Sequence, residues 1–499
     1  MKKIFLFLLI ATTSLFSNDL FIQKGNYLIT YDNLELPNNE KLGLLGTSYI
    51  YNFDNLYLGL GIYSAVSGER GGFFTGGIEA GYKVELVNNI FLDTGVFVGG
   101  GGGSSAPQGG GLMLRPHIGL TYDIWDSQIG LGISKVKFPN GDIDSDQIYL
   151  QVSIPFQVVH KKNNNSPMIL DDIQNFMTES KQNIGWSNTY FALTIQRYMI
   201  PNDVKNTSGD LVTKDMSLIG FEYGKNFNEN IFAFIETAGA GGGGADGYAE
   251  VLGGVGYKKA LGKHYGFLAK VSVGAAGGGR VDTGGGLIHK ESLGLYAALG
   301  KKLIISSDIG HIDTIDGEFK ATTFNIKFNY KLKSLSTGGN LDFLDTYETF
   351  GEHEWNIEFL NQYYVSDSSI KKNGDDTALN LIGFKIDRFL VNDFYISGQA
   401  LGAYNGNSGG YAVGLVGLGK RLVYNKSLNF FTQMNIGVAG GGNVASGDGF
   451  VYQPMIGAEY RINESFGIQT SFGKIKAFNG NLDTWVIDLG FSYKFKTID

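Results

Sequence analysis

The segment TWVIDLGFSYKF (residues 484–495) alternates without a break. Trp485, Ile487, Leu489, Phe491, Tyr493 and Phe495 fall on one side; Val486, Asp488, Gly490, Ser492 and Lys494 fall on the other. A period of two belongs to a β-strand, whose successive side chains point to opposite faces. One face is wholly apolar and the other carries two charges, so the faces must meet different surroundings. Two earlier segments keep the same phase. Phe324, Ile326, Phe328, Tyr330 and Leu332 oppose Asn325, Lys327, Asn329 and Lys331, and Ile148, Leu150, Val152, Ile154 and Phe156 oppose Tyr149, Gln151, Ser153, Pro155 and Gln157. Pro155 has no amide to donate to a ladder, which predicts a strand end there.

These related segments belong to longer repeats. GVFVGGGGGSSAPQGGGLMLR (residues 95–115) returns as VSVGAAGGGRVDTGGGLIHKESLGL (271–295) and as NIGVAGGGNVASGDGFVYQPMIGAEY (435–460). Without a gap, Val96, Gly99, Gly102 and Gly109 meet Val271, Gly274, Gly277 and Gly284, and Gly99, Gly274 and Gly437 correspond. The match extends downstream (SKVKFPNG, GHIDTIDG, GKIKAFNG) and upstream (GGFFTGGIEAGYK, DGYAEVLGGVGYK, GGYAVGLVGLGKR). Self-similarity of this kind marks a threefold internal repeat. The units span residues 19–157, 183–332 and 353–495, joined by connectors at 158–182 and 333–352 and followed by a tail at 496–499. In the first connector Ile169, Ile173 and Phe176 or Met177 suit one side of a short helix; residues 340–350 are a second short candidate.

Each unit holds about eight alternating segments. In the first they lie near residues 21–34, 41–52, 56–66, 72–86, 90–99, 110–123, 128–138 and 147–158. Three units predict about 24 strands, each with its turn sharing about 20 residues; a membrane-spanning strand needs about 9–11. The connections alternate in character. NFDN, NFNEN, LVND, LVNN, LGKH, YNKS, WDSQ, LGKK and NES are tight turns rich in Asn, Asp and Gly. SGERGG, GGGGADG, YNGNSGG, FPNGDIDSD and the glycine runs are longer. Short turns at one rim and longer loops at the other fit a transmembrane β-barrel.

Composition agrees. The opening MKKIFLFLLIATTSLFSND has a basic start and an apolar run, the pattern of a signal peptide over residues 1–17. No later apolar run reaches the length of a transmembrane helix. With 27 Tyr, 35 Phe and only 18% charged residues, the chain is unlike a disordered exported segment. It has no Cys, and its net charge of −8 argues against a nucleic-acid partner. His117, His264, His289 and His311 are scattered, without HExxH spacing, and no glycine run reads GxxxxGK[ST]. These residues predict neither enzyme activity nor a cofactor or metal.

The chain resembles bacterial outer-membrane β-barrel proteins of porin-like type. The signal peptide, the strand pattern and the aromatic-rich final strand carry the likeness. The fold expected is all-β: a large antiparallel transmembrane β-barrel of about 24 strands built from three eight-stranded sequence repeats. Three separate eight-stranded barrels in tandem are the architectural rival. The resemblance implies residence in the outer membrane, contact with its lipid, and recognition of the final strand by the barrel assembly machinery through Phe495. A wide lumen implies a pore for passive diffusion of small hydrophilic solutes; the alternative is a structural or adhesive protein. Candidate lumenal residues repeat: Arg115, Lys290 and Gln453 in strand six, and Lys135, His311 and Lys474 in strand seven. A charged ring of this kind would bias passage toward anions. The glycine runs predict a smooth ribbon above the membrane or a free loop.

Overall fold

The computed structural model describes residues 19–163, 170–337, 351–365 and 367–498. The expected signal peptide, Ile169 of the first connector and the helical candidate at residues 340–350 lie outside the described residues. The first unit forms β1 (Leu20–Glu35), β2 (Lys41–Phe53), β3 (Leu56–Gly68), β4 (Phe74–Val87), β5 (Ile90–Gly102), β6 (Leu112–Ile124), β7 (Ser127–Lys137) and β8 (Asp144–Lys161). One helix, α1 (Leu170–Ser180), follows. The second unit forms β9 (Ile184–Met199), β10 (Met216–Asn226), β11 (Ile231–Gly242), β12 (Ala249–Ala260), β13 (Tyr265–Gly277), β14 (Leu287–Ala298), β15 (Leu303–Thr314) and β16 (Lys320–Thr337). The third forms β17 (Glu352–Tyr364), β18 (Leu379–Phe389), β19 (Phe394–Asn405), β20 (Ala412–Val423), β21 (Leu428–Gly440), β22 (Phe450–Arg461), β23 (Phe466–Ala477) and β24 (Asp483–Ile498).

Every strand pairs antiparallel with its successor inside a unit, and the last strand of each unit pairs with its first. Tyr31 of β1 faces Leu150 of β8, Ile195 of β9 faces Ile326 of β16, and Phe359 of β17 faces Phe491 of β24. The chain therefore forms three closed rings of eight strands. This corrects the expected single ring, which needs β8 against β9, β16 against β17 and β1 against β24. Ring closure satisfies the free edge of β8 with the free edge of β1, and the connector lets the chain leave without continuing the hairpin series. Between rings the ladder contacts shrink to isolated bridges, Ser336 with Val158 and Lys496 with Lys161.

Two boundaries also move. β8 continues past Pro155, which pairs with Asn26. β7 pairs with β8 only as far as Ser153, so a missing amide beyond that point leaves no ladder bond unmade on the β7 side. Residues 496–498 extend β24 and are not a tail.

The barrels meet in a cyclic arrangement. Near the short-turn end, β8, β16 and β24 touch one another. There Leu20, Val159, Ile184, Leu335 and Ile498 form one apolar cluster with Ile173 of α1, and Phe176 and Met177 pack on it. Both Lys161 and Lys496 donate to Glu352 Oε2, at 3.2 and 3.1 Å. At the long-loop end the glycine runs make the joints. A Cβ on Gly72 would lie 2.0 Å from the Gly278 amide nitrogen, one on Gly247 2.8 Å from that of Gly441, and one on Gly410 3.0 Å from that of Gly103. These pairs take matching places in the three rings and link barrel 1 to 2, 2 to 3 and 3 to 1. Gly72, Gly247 and Gly410 share φ of +90°, +92° and +91°, a region that L side chains rarely occupy. Gly71 N–H donates to Gly284 O at 2.8 Å and Gly410 N–H to Gly101 O at 3.0 Å across two of these joints. The glycine runs are thus the packing surface between barrels, neither ribbon nor free loop.

Candidate functional site: the barrel interiors

Alternation sorts the side chains by face. On β8, Ile148 and Leu150 are 67% and 57% exposed on the outside, whereas Tyr149, Gln151 and Ser153 are buried inside. On β24, Leu489 is 60% exposed while Asp488, Ser492 and Lys494 are buried. A soluble sandwich would bury the apolar face; here it is presented outward around each ring. That inversion is what a bilayer requires, with every backbone group paired by ring closure. Trp125, Phe227, Leu261, Leu299, Tyr424 and Ile462 are exposed in or beside the short turns, an apolar and aromatic rim. No helix among the described residues is long and apolar enough to cross a membrane, so any crossing is made by strands.

Each interior has two layers. The layer toward the long loops is an apolar core built from equivalent residues: Ala65, Ala240 and Ala403; Phe73, Tyr248 and Tyr411; Met113, Ile288 and Val451; Val136, Ile312 and Ile475. An eight-stranded barrel is just wide enough for side chains to fill, and these fill it.

The deeper layer is polar and differs between barrels. In barrel 1, Arg115 Nε donates to Asp32 Oδ2 (3.0 Å) and Nη2 to Asp32 Oδ1 (3.1 Å), with the guanidinium 4.8 Å from the Tyr149 ring centre. Tyr57 OH donates to Asp93 Oδ1 at 2.9 Å and lies 3.1 Å from His117 Nε2; Tyr63 OH donates to Glu79 at 3.2 Å. In barrel 2, Lys290 Nζ donates to Gln196 Oε1 (2.7 Å), Tyr198 OH (3.0 Å) and Glu236 Oε1 (2.7 Å). Lys327 joins Glu222 to Glu236, and Lys270 also pairs with Glu222. In barrel 3, Lys385 Nζ donates to Glu358 Oε1 (3.1 Å) and Asp387 Oδ2 (2.9 Å), while Gln453 Oε1 accepts from Gln399 (2.9 Å) and Asn435 (3.3 Å). Charges this deeply buried persist only when paired. The networks act as struts that tie distant strands, Arg115 on β6 to Asp32 on β1 for example.

Three of the sequence-predicted residues, Arg115, Lys290 and Gln453, point inward, but into three separate interiors. Lys135, His311 and Lys474 do not point inward, a correction to the expected second ring. Lys135 pairs with Asp144 and Asp146, His311 Nε2 lies 3.7 Å from Asp313, and Lys474 pairs with Asp483, all on partly exposed side chains. The inward positions beside them are Ser134, Gly310 and Gly473; a shift of one residue changes the face. Missed in the sequence were Asp32, Glu79, Asp93, Glu222, Glu236, Lys270, Glu358 and Lys385. Strand parity marks them as inward, but they do not recur from unit to unit.

The two ends of the interior differ. At the short-turn mouth of barrel 1 an open cavity of about 310 Å³ is lined by polar groups including Asn26, Asn52, Lys83, Glu85 and Gln128. At the other end Arg70 clamps the loops: Nε and Nη2 donate to the Glu40 carboxylate (2.6 and 2.7 Å) and Nη1 to the Ser104 carbonyl (2.9 Å). Its hydrogen bonds hold the Glu40 carboxyl below the usual carboxylate range. Among the described residues no group of His, Asp or Glu has the makings of a metal site.

No protein-family model matches the chain, and no curated protein does. Solved structures aligned with it include OccAB3 of Acinetobacter baumannii (11% identity, 95% of this chain and 99% of that one, TM-score 0.22) and OpdQ of Pseudomonas aeruginosa (10%, 95% and 99%, TM-score 0.23). The siderophore receptor PirA of A. baumannii aligns at 9% identity over 97% of this chain and 81% of that one, with a TM-score of 0.28. Scores this low do not establish a shared architecture, which the strand pairings alone define. That architecture is all-β, with closed antiparallel rings that are apolar outside and polar within.

Proposed function

We propose that this is an integral bacterial outer-membrane protein of structural or interaction class, in which three eight-stranded barrels are locked into one membrane-embedded body. The observation that carries this reading is the apolar core sealing the long-loop end of each barrel, backed by the charged struts beneath it. Together they leave the lumens occupied by protein. The three units, at residues 19–157, 183–332 and 353–495, descend in this reading from triplication of one barrel, and the glycine joints preserve the contacts of a cyclic trimer. A signal peptide delivers the chain across the inner membrane, and the assembly machinery inserts it through the strand that carries Phe495.

Passive diffusion of small hydrophilic solutes is the second reading, favoured by the open polar mouth of barrel 1. Passage on that reading requires the loop-end core and the Arg115–Asp32 strut to part. Conductance in planar bilayers separates the two. The first reading expects no steps, or steps of ion size only; large, long-lived steps from the purified chain would overturn it in favour of the pore.

A further inference from the structure

The short-turn rims of the barrels differ sharply in charge. In barrel 2, Lys225, Lys259, Lys263, Lys301 and Lys302 are exposed on or beside the turns, and the turn segments at residues 225–231, 257–265 and 298–303 hold one carboxylate, Glu229. The corresponding turns of barrel 1 carry Asp54, Glu85, Asp123 and Asp126 against Lys83. Among the described residues, none of Lys225, Lys259, Lys263 and Lys301 has an ion-pair partner. The chain as a whole is acidic, at −8, so this rim is not an average of its composition.

The lysines border the lipid-facing belt. Tyr257, Leu261, Tyr265 and Leu299 stand exposed beside them. An apolar band ending in a ring of ammonium groups sets each positive charge where acyl chains give way to headgroups. Long lysine stems can lie along the apolar band while their charges reach the phosphate layer.

We propose that the short-turn rim of barrel 2 is a binding surface for anionic phospholipid headgroups of the adjoining leaflet. The inference rests on the membrane-embedded reading and deepens it by naming the partner. The lipid phosphate supplies the counter-charge that Lys225, Lys259, Lys263 and Lys301 do not find among the described residues. Clusters of four to eight basic residues beside a membrane-spanning segment are the kind of surface that selects anionic lipid.

The full chain, reconstituted in nanodiscs of phosphatidylcholine and phosphatidylglycerol and released into mild detergent, would be weighed by native mass spectrometry to count retained lipids. The comparison is with K225Q/K259Q/K263Q/K301Q/K302Q and with the control K420Q/K426Q on barrel 3. Surface changes of this kind leave the ladders and interiors untouched. The proposal expects the preference for phosphatidylglycerol over phosphatidylcholine to fall about tenfold in the five-site variant and to stay unchanged in the control. Equal preference in all three proteins, or an equal fall in both variants, would overturn it. So would displacement of the bound phosphatidylglycerol by soluble polyglutamate at physiological salt, which assigns the rim to an acidic polymer. A native chain that never enters the nanodiscs defeats the membrane reading itself, a result distinct from loss of lipid preference.

Discussion

Replacing Gly72 by Ala tests whether the glycine runs are joints. The new Cβ would sit 2.0 Å from the Gly278 nitrogen and 2.4 Å from the Gly277 carbonyl carbon, both backbone atoms that cannot rotate away. The three equivalent glycines have nearly the same positive φ, so the conformational cost of Ala, about 1–2 kcal/mol, is common to G72A, G247A and G410A. What differs is the approach across the joint: 2.0, 2.8 and 3.0 Å to the nearest backbone atom of the neighbouring barrel. Overpacking of a tight contact adds about 1–3 kcal/mol. The expected losses are therefore about 2–5 kcal/mol for G72A and nearer about 1–2 kcal/mol for G410A, with G247A between. Urea unfolding in detergent micelles gives the order. Hydrogen exchange at Gly71, whose N–H is bonded to Gly284 across the same joint, localises the loss to it. A loss of about 2.7 kcal/mol corresponds to about hundredfold faster exchange if the amide opens with the joint. Equal destabilisation by all three substitutions, with Gly71 still protected, would refute the reasoning: the effect would then be local strain alone.

Other expectations follow from the two faces of the wall. Leu489→Arg, in the outward row of β24, should cost about 2–4 kcal/mol in lipid vesicles if the belt faces hydrocarbon, and close to nothing if it faces water; vesicle-based urea titration reads the difference. Arg115→Met leaves Asp32 buried without its counter-ion, held only by Ser134 and Gln147, which should cost about 3–5 kcal/mol, and the double change R115M/D32N should recover part of that loss in the same titration. Glu40 responds to pH. Its carboxyl is depressed by Arg70, so the stabilisation is complete above the ordinary Glu value near about 4.3 and is lost as pH falls through the lower folded value. Hydrogen exchange around residues 104–105, whose carbonyls Arg70 holds, should therefore rise at acid pH in the native protein and show no such acid step in Arg70→Ala.

Much of this fold is legible in the sequence because alternation and turn chemistry are local. The segment expected at residues 41–52 is β2, that at 56–66 is β3 and that at 90–99 is β5, each displaced by only a few residues at its ends. Ile173, Phe176 and Met177 do share the packed side of a helix. Ring closure was not legible. Which strand receives the free edge of β8 depends on backbone hydrogen bonding between segments far apart in sequence, and the apolar and polar rows of β1 suit β8 and β24 alike. The long connectors were the available clue, since a single ring built from hairpins has no need of them. In the interiors, repetition marks Arg115, Lys290 and Gln453, yet each network is completed by residues peculiar to its own barrel, such as Asp32, Lys270 and Asp387. Recurrence also misled at Lys135, His311 and Lys474, where the same outward position is refilled three times. The apolar seal was hidden for a different reason: Met113 and Val136 lie in the inward rows near the strand tops, where a pore predicts polar residues.

Because the chain has no Cys, paired cysteines can report which strands are neighbours. Ile29 and Val152 stand opposite each other on β1 and β8, both on the outer face. The variant I29C/V152C, oxidised in the folded state and mapped by peptide mass spectrometry, should form an intramolecular disulfide, and I195C/I326C and F359C/F491C should do so at the other two closures. If none of the three pairs forms, while a cysteine on β1 couples instead to one on β24, the chain closes as one large ring and the three-barrel architecture is wrong.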